Sequence, residues 1–253
     1  MKNNKPLISI ILPVHNSSQH LKECIKSLLS QTYKNIEILA IDDDSKDDSY
    51  KILRKFAKKD KRLKTSRNVK RYGIGVTLNR IIKKTKGSFI AFMDAEDIST
   101  KDRLKKQLLY LKSNPQVVAV GTQCFFVGKN EKKLGKSKFP KESENIYDSP
   151  LHGISMQFET VMINKNLLPR DVLRFDTKSN PFIYSDVFLK LLPYGKFTNL
   201  RNFLHYHRNH PSEYFKDLRR NPMHFIKLWL KSITFYNYSF SARSFFAPII
   251  KSA

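Results

Sequence analysis

A chain of 253 residues with 40% hydrophobic content is long enough to bury a core and is not disordered throughout. Lys plus Arg number 47 against 22 Asp plus Glu, a formal charge of +25, so the natural partner classes are nucleic acid, anionic lipid or a phosphorylated substrate; a solvated basic surface is the plain alternative. No stretch approaches the roughly 18 to 20 apolar residues that span a bilayer. Cys24 and Cys124 offer neither metal spacing nor a disulfide framework, so the expected location is cytoplasmic, with attachment to the inner face of the plasma membrane as an option.

In chain order, LISIILPV (Leu7 to Val14) follows a basic start, but the run is short, is interrupted by Pro13 and lacks a small-residue cleavage site. It reads as a strand covered on both faces of a parallel sheet. HNSSQHLKECIKSLLSQT supplies capping residues and then Leu21, Cys24, Ile25, Leu28 and Leu29 at helical spacing. IEILAIDDDS is a second strand with a polar end, and SYKILRKFAKKD a second helix. After a basic loop, GVTLNRIIKKTKG predicts a helix closed by Gly87, and SFIAFMDAED a third strand ending in acids.

This alternation predicts a doubly wound α/β domain with right-handed crossovers. In such sheets the ligand crevice lies beyond the carboxyl ends of the strands, which here are PVHN, DDDS and DAED. Acids recurring at equivalent topological positions point to one site rather than to an acidic loop. No G-x-G-x-x-G follows the first strand and no Walker A sequence is present. Beyond residue 100, DRLKKQLLYLKSN predicts a helix ended near Pro115, VVAVGTQCFFVG a strand, and Gly128 to Pro150 a polar connection. MQFETVMINKNLL resumes order, and YSDVFLKLLPYG predicts a helix with its acid in the first turn. The organisation expected is one domain over 1–215 and a basic, aromatic tail over 216–253.

The ordered set ISIILPVHN, QTYKNIEILAIDDDSKDDS, GSFIAFMDAEDISTKDRLKKQ, ETVMINK, YSDVFLKLLPYGKF and YHRNHPSE resembles the family 2 glycosyltransferases, over about residues 6 to 213. The resemblance implies the GT-A fold, a Rossmann-like mixed sheet. It also implies transfer of a sugar from a nucleotide diphosphate sugar, a UDP-sugar foremost, with inversion and a divalent metal, Mn2+ or Mg2+. A departing diphosphate needs a hard cation with oxygen ligands to neutralise its charge. By resemblance the D-x-D pair falls on Asp94, near the ribose and metal, and on Glu96 as metal ligand, with Glu where Asp is usual; Asp97 is the neighbouring acid. Asp42 and Asp43 match the acids that hold the nucleoside, with Asp44 where Gly is common, and Pro13, Val14 and Asn16 match the lining of the base pocket.

An inverting transfer needs a base for the acceptor hydroxyl, and the resemblance places it at Asp186, with Ser185 in place of the usual Glu. Helix capping is the plain alternative for Asp186. In the closing segment, Arg208 and His210 are expected at the diphosphate and metal, with Ser212 as a weaker donor, and Arg67, Lys70 and Arg71 lie in the loop approaching the nucleotide. The context most resembles enzymes of surface polysaccharide or lipopolysaccharide assembly, with a glycan or lipid-linked acceptor.

From Leu218 onward the sequence carries Arg219, Arg220, Lys227, Lys231, Arg243 and Lys251 but no acid, among dense aromatics. Asn221 and Pro222 predict a helix start, with Ile226, Trp229, Leu230 and Ile233 on one face. Such a segment suits an anionic membrane surface or packs back on the domain. Two competing readings are a basic nucleic-acid-binding protein, which lacks any recognisable binding motif, and a degenerate transferase, motivated by Glu96 and Ser185. Acidic strand ends would repel nucleic acid, so none is expected as partner.

Overall fold

The computed structural model describes residues 5–128, 132–141, 146, 156–178, 180–208, 220–236 and 238. Its spine is a nine-stranded mixed sheet in the order β3-β2-β1-β4-β8-β6-β9-β5, with β7 attached to β6. The strands are β1 (Ile8–Val14), β2 (Ile36–Asp42), β3 (Leu63–Arg67), β4 (Phe89–Phe92), β5 (Ile98–Ser99), β6 (Val117–Val127), β7 (Lys133–Lys136), β8 (Met162–Asn164) and β9 (Lys196–His207). β1 to β4 pair in parallel, Val14 opposite Asp42 and Ile11 opposite Phe92; β8 runs antiparallel to both β4 and β6. The helices are α1 (Leu21–Leu29), α2 (Ser49–Lys59), α3 (Ile74–Ile82), α4 (Arg103–Ser113), α5 (Ile183–Leu191) and α6 (Pro222–Phe235).

Two apolar clusters explain why β1 lacks alternation. Ile8, Ile10 and Leu12 pack with Leu21, Ile25 and Leu28 of α1 and Leu104 and Leu108 of α4 on one face of the sheet. Ile11 packs on the other with Leu78 and Ile81 of α3 and Val187 and Leu191 of α5. A strand covered on both faces is apolar at every position, and Ser9 is accommodated because its hydroxyl donates to the buried Glu37 carboxylate at 2.6 Å.

Several expectations need correction. The basic loop before α3 contains β3, an edge strand whose Lys64 and Arg67 conceal the pattern. β9, twelve residues long, covers a stretch to which the sequence assigned no element and runs into the start of the expected closing segment at Tyr206. Gly87 does not close α3, which ends at Ile82; it lets the backbone pass β1, since a Cβ there would stand 2.7 Å from the Leu7 carbonyl oxygen. The expected domain boundary near 215 lies outside the described residues. α6 packs on the domain: Phe225 and Leu228 join Phe182, Leu189 and Tyr238 in one buried cluster. The buried residues of the helix are Phe225, Leu228 and Ser232; of the apolar row read from sequence, Ile226 and Leu230 are exposed and Trp229 and Ile233 half-buried. No helix among the described residues is long and apolar enough to cross a membrane.

Candidate active site

The exits of β1, β2 and β4 meet in one cleft of about 290 Å³. Pro13, Val14, His15 and Ser17 line it after β1, Asp43 after β2, and Asp94, Ala95 and Glu96 after β4; Arg71, Gly73, Ile74 and Thr77 close it from the start of α3. Of the sequence-expected residues, the structure therefore brings together Pro13, Val14, Asp43, Arg71, Asp94 and Glu96. His15, Ser17 and Thr77 were missed; they are polar residues beside the motifs without a periodic signal of their own.

Asp43 sits where it does because it organises the loop into α3. Its Oδ1 accepts from the Asn68 side chain at 2.7 Å and the Tyr72 N–H at 2.9 Å, and its Oδ2 accepts from the Gly73 N–H at 2.8 Å. The carboxylate thus satisfies N–H groups at the entry to α3, and Gly73 supplies the required positive φ of 87°. Asp44 also adopts the left-handed region, φ 58°, which Asp tolerates where most side chains would be strained.

Asp42 is fully buried behind the cleft, accepting from the Ser45 N–H at 3.1 Å and pairing with Arg67 Nε at 3.1 Å. Asn16, at φ 51°, ties the two loops together: its Oδ1 accepts from the Lys46 N–H and its own N–H donates to Ser45 Oγ. Neither is among the residues that line the cleft; both tie together the loops that follow β1 and β2.

In the turn after β4, Asp94 Oδ1 accepts from the Glu96 N–H at 2.8 Å. Burial, reinforced by the Asp97 and Glu159 carboxylates, pushes the Asp94 carboxyl up to about 8. Asp94 and Glu96 both line the cleft, their carboxylates are hard oxygen donors of the kind that fits Mg2+ or Mn2+, and an acid so crowded by negative charge is one that a divalent cation would stabilise in its ionised form. His210, the third expected ligand, and Ser212 lie outside the described residues.

Behind this turn stands a group that sequence reading left unassigned. Asp97 Oδ2 accepts from His205 Nε2 at 2.7 Å and His207 Nδ1 at 2.8 Å, while its Oδ1 accepts from the Arg208 N–H at 2.9 Å. All three ligand-type side chains are buried with their atoms within 4.8 Å of one another, the one such group among the described residues that could hold a metal ion. Burial works against its charge, yet the two imidazoles hold Asp97 well below the usual carboxylate range, and Asp97 in turn pushes His207 up to about 9, while burial drives His205 down. As hydrogen-bonded here, the group fastens the end of β9 to the acidic turn. The signal was legible: H-x-H in a strand puts both imidazoles on one face.

Arg208 also departs from expectation. Its Nε donates to the Glu96 carbonyl at 2.6 Å and an Nη to Glu23 at 2.8 Å, so it buttresses the acidic turn from outside and is not among the residues lining the cleft. Arg103, fully buried, donates to the Phe92 and Glu159 carbonyls and fixes the exit of β4 from the other side.

Asp186 is not brought into the cleft. It is 1% exposed, its Oδ1 accepting from Lys231 Nζ at 2.6 Å and Tyr236 Oη at 3.0 Å, with Lys190 Nζ 3.6 Å from Oδ2. The physical reason is helical phase: the residue faces α6, which supplies two of its partners.

The family model described as Glycosyl transferase family 2 matches residues 9–167. The chain belongs to this family. Among curated members, an uncharacterized glycosyltransferase of Haemophilus influenzae is 34% identical over 173 residues, covering 68% of this chain and 67% of that one. The putative teichuronic acid biosynthesis glycosyltransferase TuaG of Bacillus subtilis is 29% identical over 165 residues, 65% of each chain. The chain spans 58% and 61% of two further relatives. Among solved structures, S. aureus TarS 1-349 in complex with UDP-GlcNAc superposes with a TM-score of 0.66 at 19% identity, over 95% of this chain and 75% of that one. The mannosyltransferase PcManGT of Pyrobaculum calidifontis, in complex with GDP-Man and Mn2+, gives 0.67 at 18%, over 99% and 69%. The fold of this family 2 member is therefore GT-A.

Proposed function

We propose that the chain transfers a sugar from a nucleotide diphosphate sugar, a UDP-sugar foremost, to a glycan or lipid-linked acceptor in cell-surface polysaccharide or lipopolysaccharide assembly, with inversion at the anomeric carbon. The observation that carries this reading is the convergence of Asp43, Asp94 and Glu96 from two strand exits on one cleft, with Arg71 at its rim. The complexes of TarS with UDP-GlcNAc and PcManGT with GDP-Man, and the name of TuaG, support the donor and polysaccharide classes.

Pro13, Val14 and Thr77 shape the nucleoside end of the cleft, and Arg71 meets the diphosphate. Asp94 and Glu96 would hold Mn2+ or Mg2+, which when bound neutralises charge on the leaving diphosphate. The buried pairing of Asp186 with Lys231 and Tyr236 favours a role in docking α6 over the role of base expected from sequence.

The test is incubation with a panel of nucleotide sugars and Mn2+ or Mg2+, following nucleotide release and the anomeric configuration of the product by proton NMR. Slow metal-dependent release from at least one donor, with inverted product, is expected. No release from any donor overturns the transferase reading, and a retained configuration overturns inversion.

A further inference from the structure

Helix α6 has two apolar faces, and the described fold covers one. Phe225 and Leu228 are buried with Phe182 and Leu189, and Lys231 and Tyr236 both bond Asp186, so the roll of the helix is fixed. That roll sends Met223, Ile226 and Leu230 outward at i, i+3 and i+7 spacing, 62%, 38% and 52% exposed, with Phe235 74% exposed at the end of the helix. Lys227 is exposed within this row and Arg220 is exposed just before the helix.

We propose that this face is a docking surface for an anionic lipid bilayer. Exposed apolar side chains interleaved with basic ones on a helix fixed parallel to the protein surface match the apolar-to-headgroup boundary of such a membrane. Charge complementarity selects the occupant: the sequence from Leu218 onward has no acid, and the whole chain carries +25. A second copy is a poor fit, because a two-fold contact on this face would crowd the Lys227 and Arg220 cations of both copies together with no acid of the helix to oppose them. Three or four side chains also fall short of the roughly 800 Å² per partner of a stable interface. Membrane docking stands apart from the transfer chemistry, since no cleft residue takes part in it.

Flotation of the full chain with vesicles tests the proposal, comparing phosphatidylcholine alone with mixtures containing phosphatidylglycerol. Expected is partition at least tenfold stronger into the anionic vesicles and weakened by salt. Ile226→Glu with Leu230→Glu lowers it tenfold or more while the melting temperature and nucleotide binding stay at wild-type values, and the milder Met223→Ser lowers it in the same direction. Absence of vesicle binding, equal binding to both compositions, or undiminished binding by the double variant overturns the proposal. So does a wild-type dimer in light scattering that the double variant turns into a monomer, which would assign the face to a second copy.

Discussion

At the scale of single residues, the site depends on carboxylates that do structural work beside their expected chemistry. Asp43 accepts three hydrogen bonds at the mouth of α3. In Asp43→Asn one side-chain oxygen becomes a donor facing donors, which should cost about 1 to 3 kcal/mol in urea unfolding and weaken nucleotide binding together. Asp47 gives a prediction in pH. Burial works against it, but bonds from the Ser49 and Ser18 groups hold its carboxyl at about 2, below the ordinary 3.8. A depressed folded-state value stabilises above the unfolded value, and the contribution fades as pH falls through 3.8 towards 2. Asp47→Asn should therefore lower the melting temperature at neutral pH by about a degree or two, a small effect because the group is exposed, and the difference should vanish near pH 2. Asp43, Asp94 and Glu96 were legible in the sequence because acids at the ends of apolar strands have one direction to go. Arg103 was not: a lone arginine in a charged helix start looks solvated, and only the tertiary fold shows it buried against the Phe92 and Glu159 carbonyls.

At the scale of elements, the turn after β4 is held from behind by β9. Asp97→Asn leaves His207 without its buried counter-charge and should destabilise the protein by about 3 kcal/mol, with loss of metal-dependent nucleotide binding because the Asp94 to Glu96 turn loosens. Gly87→Ala, far from the cleft, should cost about 1 to 3 kcal/mol through backbone crowding alone, leaving nucleotide affinity unchanged once folded. Asp186→Asn separates its two roles. A docking residue gives a lower melting temperature with donor hydrolysis retained, whereas a base gives full stability with transfer abolished. β1, β2, β4 and the first four helices were legible because burial on two faces and helical spacing are local patterns. β3 and β9 were not: β3 lies at the sheet edge, and Lys, Arg and Asn interspersed along both let a strand resemble a loop. The docked face of α6 escaped for the opposite reason: with apolar residues on both sides, the sequence does not say which side packs.

At the scale of the whole molecule, a chain of charge +25 gathers Asp43, Asp94 and Glu96 in one cleft where two parallel strands end, against a basic overall charge. In the proposed function opposite signs have separate tasks: the acids would hold a cation, the cation and Arg71 would hold a diphosphate, and the basic surface would face anionic surroundings. The direct measurement of this account is calorimetric titration of UDP and GDP, and of their sugars, into the wild type and Asp94→Asn, with Mn2+ and with chelator. The account predicts binding of at least one nucleotide that chelator weakens by tenfold or more, and that Asp94→Asn weakens to the same level with no further effect of chelator. Equal nucleotide affinity with and without metal, or an Asp94→Asn protein that binds as the wild type does, would contradict it.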